Sequence, residues 1–294
     1  VSPTMSSTPP AQPMSASKWV VASALKRLHK MRKEADKSLT LETVEEACEL
    51  GKTSLQRYQS GRSAMKTGEA RRVFEYYGVD PEQIEMLLEH VERSRKRTRP
   101  INEIVPAWFQ TFLLLEREAE EIAELALTMI PGLLQTEDYA RTVLEKGLVG
   151  SIVDDYVESR MERKKVLEGP NPLRFWAVIH EGALWRMVGN KDTMRAQLFH
   201  LVEMAQRPNV TIVVIPNRLG AHVSMDTSFH WIRFDTLLDP LGIIYTESLT
   251  GARYLDDPDE VTQHERAFRH LTNAALSEID SVRLIKDVNR NYCE

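Results

Sequence analysis

Between Lys18 and Glu34, the apolar residues Val21, Leu25, Leu28 and Met31 recur every three or four positions. That spacing predicts an amphipathic helix, with Lys26, Arg27, Lys30, Arg32 and Lys33 on its other faces. Leu41, Val44 and Cys48 repeat the period behind Thr40, whose hydroxyl is placed to cap the first free backbone N–H groups. Leu50 then plugs a corner, Gly51 or Thr53 opens a short second helix, and Leu55 and Tyr58 form its inner face. A fourth helix over Thr67–Tyr77 turns Ala70, Val73, Phe74 and Tyr77 inward and closes at Gly78. Asp80 and Pro81 start a fifth, with Ile84, Leu87, Leu88 and Val91 as its stripe. Five short helices in residues 18–92 predict an all-helical domain.

Beyond Pro100 the pattern changes. Ile104–Ala126 reads as one helix, Thr136 caps another after a Pro-Gly turn, and Asp154–Leu167 is a third, densely charged. Four β-branched or aromatic runs bounded by turn residues predict strands at 173–179, 210–215, 228–234 and 242–248. Between the first two lies a helix, Lys191–Gln206, with Met194, Leu198, Leu201, Val202 and Ala205 inside. A strand, a crossover helix and a strand imply a parallel pair with a right-handed connection; the two later strands are expected to be antiparallel. Two helices, about 258–276 and 278–290, close the chain. The expected fold is therefore α+β and mostly α. It has an N-terminal five-helix domain and, over 101–294, an α/β domain with a small mixed sheet of about four strands flanked by helices. Residues 1–17, rich in Pro, Ser and Thr, read as a disordered tail, and 93–100 (RSRKRTRP) as a basic linker.

Composition adds limits. The chain has 294 residues, enough for two domains, and only two cysteines, Cys48 and Cys293, which exclude a disulfide framework or a zinc site and suit a reducing cytoplasm. No apolar run is long enough for a membrane span, so no membrane is expected. Net charge is −5, yet residues 18–100 hold 18 Lys or Arg against 13 Asp or Glu, leaving −10 for the rest. A basic DNA-facing module on an acidic body accounts for this asymmetry, and two solvated surfaces account for it equally well. The helix pair at 39–62 tips the balance. Lys52, Thr53, Gln56 and Arg57 form a polar and basic outer face suited to base edges, while Arg62, Lys66 and Arg32 are placed for phosphates. The alternative for each is a solvated helix face.

Catalytic chemistry is not in evidence. His180-Glu181 lacks the second His of a zinc-protease helix, and His222, His230, His264 and His270 are scattered. No P-loop, dinucleotide turn or nucleophile elbow occurs. Asp256, Asp257, Asp259 and Glu260 read as acids at a helix N-terminus rather than a cation site, and Trp176, Trp185 and Trp231 as core. No enzyme activity, cofactor or metal is expected.

The ending LQRYQSGR (55–62) resembles the second helix of xenobiotic-response-element type helix-turn-helix regulators. Against that pattern Glu49 stands in place of the turn Gly, Glu45 in place of a small Ala between the helices, Leu41 in place of a Gln and Gly51 in place of a Ser cap. Residues 101–290 resemble the antitoxin-like C-terminal domain of a large bacterial regulator family of filamentous-actinomycete type. The matching segments are IPGLLQTEDYAR (130–141), ESRMERKKVL (158–167), HEGALWRMVG (180–189), AQLFHLVEMAQRPNVTIVVIP (196–216), GAH (220–222), YTESLTGARYL (245–255) and ALSEIDSVRLI (275–285). The resemblance implies a cytoplasmic, nucleoid-associated regulator that binds double-stranded DNA as a homodimer on a two-fold related operator. Its C-terminal domain would serve protein contact or sensing. Two alternatives accompany it: an antitoxin-like protein whose main act is binding a small partner encoded nearby, and a small-molecule sensor with a pocket lined by Trp176, Trp231 and Tyr245. The helical stretches 104–126 and 258–290 are the candidates for dimer contacts.

Overall fold

The computed structural model describes residues 14–96, 105–147, 152–234 and 241–292. Most of the tail reading, and residues 97–100 of the linker, lie outside them, as does Cys293; Met14–Ser17 and Arg93–Lys96 belong to or border helices. The chain divides into two units, the first holding six helices and the second a six-stranded sheet with the remaining helices.

In the first unit, α1 (Ala16–Ala35) starts at Ser15, whose hydroxyl accepts from the Lys18 N–H. Residues Trp19–Leu25 are all buried, so this half of α1 is enclosed on every side, as a helix apolar all round must be. The expected stripe therefore lies earlier than its period suggested: Leu28 is half-buried and Met31 is 60% exposed. Then follow α2 (Leu41–Ala47), α3 (Ser54–Gln59), α4 (Thr67–Tyr76) and α5 (Pro81–Ser94). Inward residues of α4 and α5 are those the spacing named, Ala70, Val73, Phe74, Ile84, Leu87, Leu88 and Val91. Gly78 closes α4 at φ 73°, a left-handed position where a side chain would be strained.

The stretch expected to be one helix over Ile104–Ala126 is two elements. Helix α6 (Ala107–Glu118) groups with α1–α5, not with the sheet; the backbone N–H of Met14 donates to Thr111 Oγ1 at 3.4 Å. Glu121–Ala126 is strand β1. Its sequence, EIAELA, is made of helix formers, but it lies inside the sheet and Ile122–Ala126 are all buried. Tertiary placement overrides propensity here, and burial of both faces erases the period-two pattern by which a strand is read.

In the second unit the sheet runs β3-β2-β1-β4-β5-β6, where β2 is Arg174–His180, β3 Val210–Ile215, β4 Phe229–Arg233, β5 Ile243–Ser248 and β6 Gly251–Leu255. Strands β1, β2 and β3 are parallel; β4–β5 and β5–β6 are antiparallel. Six strands thus replace the expected four: β1 was hidden by its composition, and β6 is a five-residue strand after a tight turn. Between β1 and β2 come α7 (Glu137–Glu145) and α8 (Ile152–Arg163), the latter running into a 3-10 turn at Lys164–Leu167 rather than continuing as helix. Helices α9 (Glu181–Trp185) and α10 (Lys191–Met204) connect β2 to β3, and α11 (Pro258–Ala274) and α12 (Glu278–Asn291) end the unit. The class is α+β, mostly α, as the periodicities predict.

Candidate nucleic-acid interface

Helix α2 begins as its sequence suggests, with the Thr43 N–H donating to Thr40 Oγ1 at 3.1 Å. Helix α3 does not. Thr53 precedes it at φ 61° and offers no side-chain cap. Its first free N–H groups are met instead from α2: Glu45 Oε2 accepts from Thr53 N at 2.9 Å and Oε1 from Leu55 N at 2.7 Å. Glu45 is buried, only 4% exposed, so a single carboxylate spans both helices from the inside. The residue that looked like an obstacle to helix–helix contact is therefore the group that joins them. Charge-assisted bonds to backbone N–H are among the stronger ones in proteins, and the positive end of a helix favours an anion.

That cap holds a strained turn. Glu49 sits at φ 53° and Thr53 at φ 61°, two left-handed residues within five positions, neither of them Gly. For β-branched Thr this is a conformation essentially forced by its surroundings. The Leu50 N–H donates to Glu45 O at 2.8 Å and Ser54 N to Gly51 O at 3.0 Å, closing the corner.

The strained corner sets the direction in which α3 presents its outer face. Lys52, Thr53, Gln56 and Arg57 are all exposed, and Arg57 donates to Ser54 Oγ at 3.1 Å. At the far end the Tyr58 hydroxyl donates to Glu69 Oε2 at 2.8 Å, linking α3 to α4. Burial and the Glu69 carboxylate push the Tyr58 hydroxyl up. Burial pushes Glu69 up as well, but hydrogen bonds from Tyr58 and the Lys66 N–H outweigh it and hold that carboxyl below its ordinary range. Arg62 and Lys66 are exposed in the segment between α3 and α4, Lys66 Nζ lying 3.6 Å from Glu69. Helix α2 exposes Glu42 and Glu46, and Glu49 follows, so positive charge near this corner comes from Lys52 in the turn, Arg57 on α3 and the segment after it.

Of the seven residues named from sequence, six lie on α3 or beside it in the chain. Arg32 does something else: its guanidinium donates to Tyr76 O at 3.2 Å, satisfying a carbonyl at the C-terminus of α4. Glu45 was the member of this site that sequence reasoning did not count. Its position one residue after the apolar Val44, on the side of α2 that faces the turn, was the available signal.

The second unit offers packing where chemistry was weighed. His180 Nδ1 accepts from Gly182 N at 3.1 Å and so caps α9; burial first and neighbouring His222 second push its imidazole down. Asp257 caps α11 by accepting from Asp259 N at 3.0 Å, the helix-terminus reading of that acidic run. Among the described residues, no group of three or more His, Cys, Asp or Glu could hold a metal ion, and no helix is long and apolar enough to cross a membrane. Trp231 is buried, but Trp176 and Trp185 are 37% and 43% exposed, not core. Trp231 pairs with Ile244 and His230 with Tyr245, so Trp231 and Tyr245 point to opposite faces of the sheet and cannot line one pocket. A cavity of about 600 Å³ lies elsewhere, between the ends of β2 and β3 and α12, lined by Glu181, Asn217, Arg218, Asp280 and Arg283 among others.

These features define a two-unit α+β protein: a helical unit with a carboxylate-joined helix pair, then a unit built on a mixed sheet. The chain belongs to the DUF5753 family, a domain of unknown function, whose model matches residues 109–287. That span begins inside α6 and covers most of the sheet unit. No curated protein and no solved structure matches the chain.

Proposed function

We propose that this protein is a sequence-specific DNA-binding transcriptional regulator, acting as a homodimer on a two-fold related operator and modulated through its sheet unit. The observation that carries the reading is the exposed surface made by Lys52 and Thr53 in the turn before α3 and by Gln56 and Arg57 on α3, a helix fixed by the buried Glu45 carboxylate. Arg57 or Gln56 suits bidentate contact with guanine or adenine, while Arg62 and Lys66 suit the phosphate backbone. The excess of 18 basic over 13 acidic residues in 18–100 supports attraction to a polyanion. Selection of bound duplexes from random DNA with the full chain, followed by fluorescence anisotropy on the enriched sequence, tests it. Arg57→Ala is expected to cost about 1–3 kcal/mol of specific binding and to relax sequence preference, whereas Lys66→Ala weakens all DNA alike and flattens the salt dependence. Failure to enrich any sequence at physiological salt refutes the proposal. Equal loss of specific and random binding in Arg57→Ala removes that residue from base reading.

A second reading, binding of a small partner protein through the sheet unit, draws on one observation. The segments after the parallel strands expose Met129, Trp185, Met187 and Met225, residue types enriched at protein interfaces, with Val223 beside them in the chain. Arg186 Nε donates to Thr128 O at 3.1 Å and the His180 and His222 rings lie 5.7 Å apart, so these loops are neighbours. Co-purification of a small protein with the wild-type chain, lost in Trp185→Ala, supports it; no companion at any salt counts against it.

A further inference from the structure

In the sheet unit, away from the helix pair, three separate segments meet in a polar cluster that neither functional reading uses. Lys164, in the 3-10 turn after α8, places Nζ 2.9 Å from Gln135 O and 3.0 Å from His200 Nε2 on α10. His200 Nδ1 lies 3.7 Å from Glu203 Oε2, one helical turn on. Nucleophile, imidazole and carboxylate thus stand in the order that activates serine and cysteine side chains, with a lysine amine in the first place. An imidazole cannot face an ammonium at 3.0 Å while protonated, so Nε2 is the acceptor and Nδ1–H is turned to Glu203.

The amine's surroundings loosen its proton. Burial first, and the Arg207 guanidinium second, push Lys164 below the ordinary lysine range, with Glu168 acting the other way. Burial, Lys164 and Arg207 likewise push His200 down, against Glu203. A neutral amine keeps two hydrogens, enough for both Gln135 O and His200 Nε2, and its lone pair takes the place of the third. Lysines that lose their proton in partly buried cationic surroundings are the ones that act as nucleophiles. Two cations stand nearby: Arg207, close to both groups and 3.5 Å from Glu168 Oε1, and Arg160, which donates to Gln135 Oε1 at 2.7 Å.

We propose that Lys164 is a selectively reactive amine, a site of acylation by acyl phosphates. In the step, Lys164 Nζ gives one proton to solvent and attacks the carbonyl carbon of the acyl phosphate. The new N–C bond forms as the C–O bond to phosphate breaks. The electron pair of that bond leaves with phosphate, whose charge Arg207 is placed to meet, and the second proton lost from nitrogen passes to His200 Nε2 and on to solvent. The product is an uncharged amide that no longer donates as an ammonium to Gln135 O.

The test uses the wild-type chain with a low, limiting dose of acetyl phosphate near neutral pH, with acetylation of each lysine followed by peptide mass spectrometry. Lys165, its exposed neighbour, is the internal reference. Lys164 should acetylate several-fold faster than Lys165. Its rate should also level off below the ordinary lysine range. Arg207→Gln should reduce Lys164 labelling by acetyl phosphate more than labelling by an uncharged acetyl thioester. Should this variant unfold, the wild-type comparison still decides. Lys164 labelling no faster than Lys165 overturns the proposal. Equal sensitivity of the two donors to Arg207→Gln overturns its assignment to acyl phosphates.

Discussion

Replacing Glu45 with Gln changes one oxygen for an NH2 and almost nothing in volume, which makes it the sharpest probe of the helix pair. The carboxylate accepts from two backbone donors, Thr53 N and Leu55 N. A carboxamide can accept from one and must turn its NH2 toward the other, so one donor is left facing a donor. Thr53 is exposed and water can serve it, but Leu55 is wholly buried. Hydrogen bonds to a charged partner contribute about 1.5–3 kcal/mol, and a buried donor left unmet costs about 1–3 kcal/mol. Part of this is offset by no longer burying a charge. The expected net loss in the helical unit is about 1–3 kcal/mol for Glu45→Gln, and more for Glu45→Ala. Strain adds a second consequence. Glu49 and Thr53 hold left-handed backbone, each at a cost of about 1–3 kcal/mol, which the surrounding contacts must over-determine. With the cap weakened, the turn relaxes and α3 loses its fixed direction. Hydrogen–deuterium exchange on peptides covering 50–60 should therefore show loss of protection in Glu45→Gln, with β2 unchanged as the internal control. Affinity for the selected duplex should fall with it. Unchanged protection of Leu55 in both variants would refute the claim that Glu45 holds α3.

Two further outcomes are expected. Gly61 lies at φ 66°, and an added Cβ would collide with Met14 Cε, so Gly61→Ala should destabilise the helical unit by about 1 kcal/mol or more from backbone strain alone; Met14→Ala in the same chain should recover only the steric share, as read by thermal denaturation. Burial pushes His29, His180 and His200 all down, so each is neutral in the folded chain where the unfolded chain would take a proton. Their contribution is complete above the ordinary histidine value of about 6.5 and is lost as pH falls below it toward the folded values. Urea midpoints should therefore drop from about pH 7 to about pH 5.5, less steeply in His200→Gln, and a flat or rising profile would contradict the reasoning.

How much of this was legible in the chain depended on where the signal lived. Periodicity found α4, α5, α10, α11 and α12 because each buries one face, and Asp80, Asn190, Asp257 and Ser277 cap their helices through side chains that sequence reading can anticipate. Lys52, Thr53, Gln56 and Arg57 were placed outward by the same logic. Period failed where both faces are buried, as in β1 and the first half of α1. Caps failed where they come from another element: Thr136 donates from both N and Oγ1 to Gln197 Oε1 on α10, rather than capping α7 itself, and α3 depends on Glu45. A local rule cannot see a partner 61 positions away. Nor can it tell a cation aimed at phosphate from one, like Arg32, spent on a helix terminus.

The same distinction clarifies the segments that carry the family resemblance. Gln135 in IPGLLQTEDYAR, Arg160 and Lys164 in ESRMERKKVL, and Gln197 and His200 in AQLFHLVEMAQRPNVTIVVIP meet in one place. Gln135 and Gln197 are almost wholly buried and serve Ile130 O, Leu134 O and the Thr136 N–H, so their role is to satisfy the irregular backbone that leaves β1. Arg160 completes Gln135. Packing explains that much, because a buried loop needs such partners. It explains only half of Lys164. The bond to Gln135 O serves the loop, but the contact with His200, itself turned to Glu203, satisfies no backbone group. A network built only to hold the loop would end at Gln135 O. That the chain continues through an imidazole to a carboxylate is the reason to look for chemistry at this amine rather than at the scattered histidines.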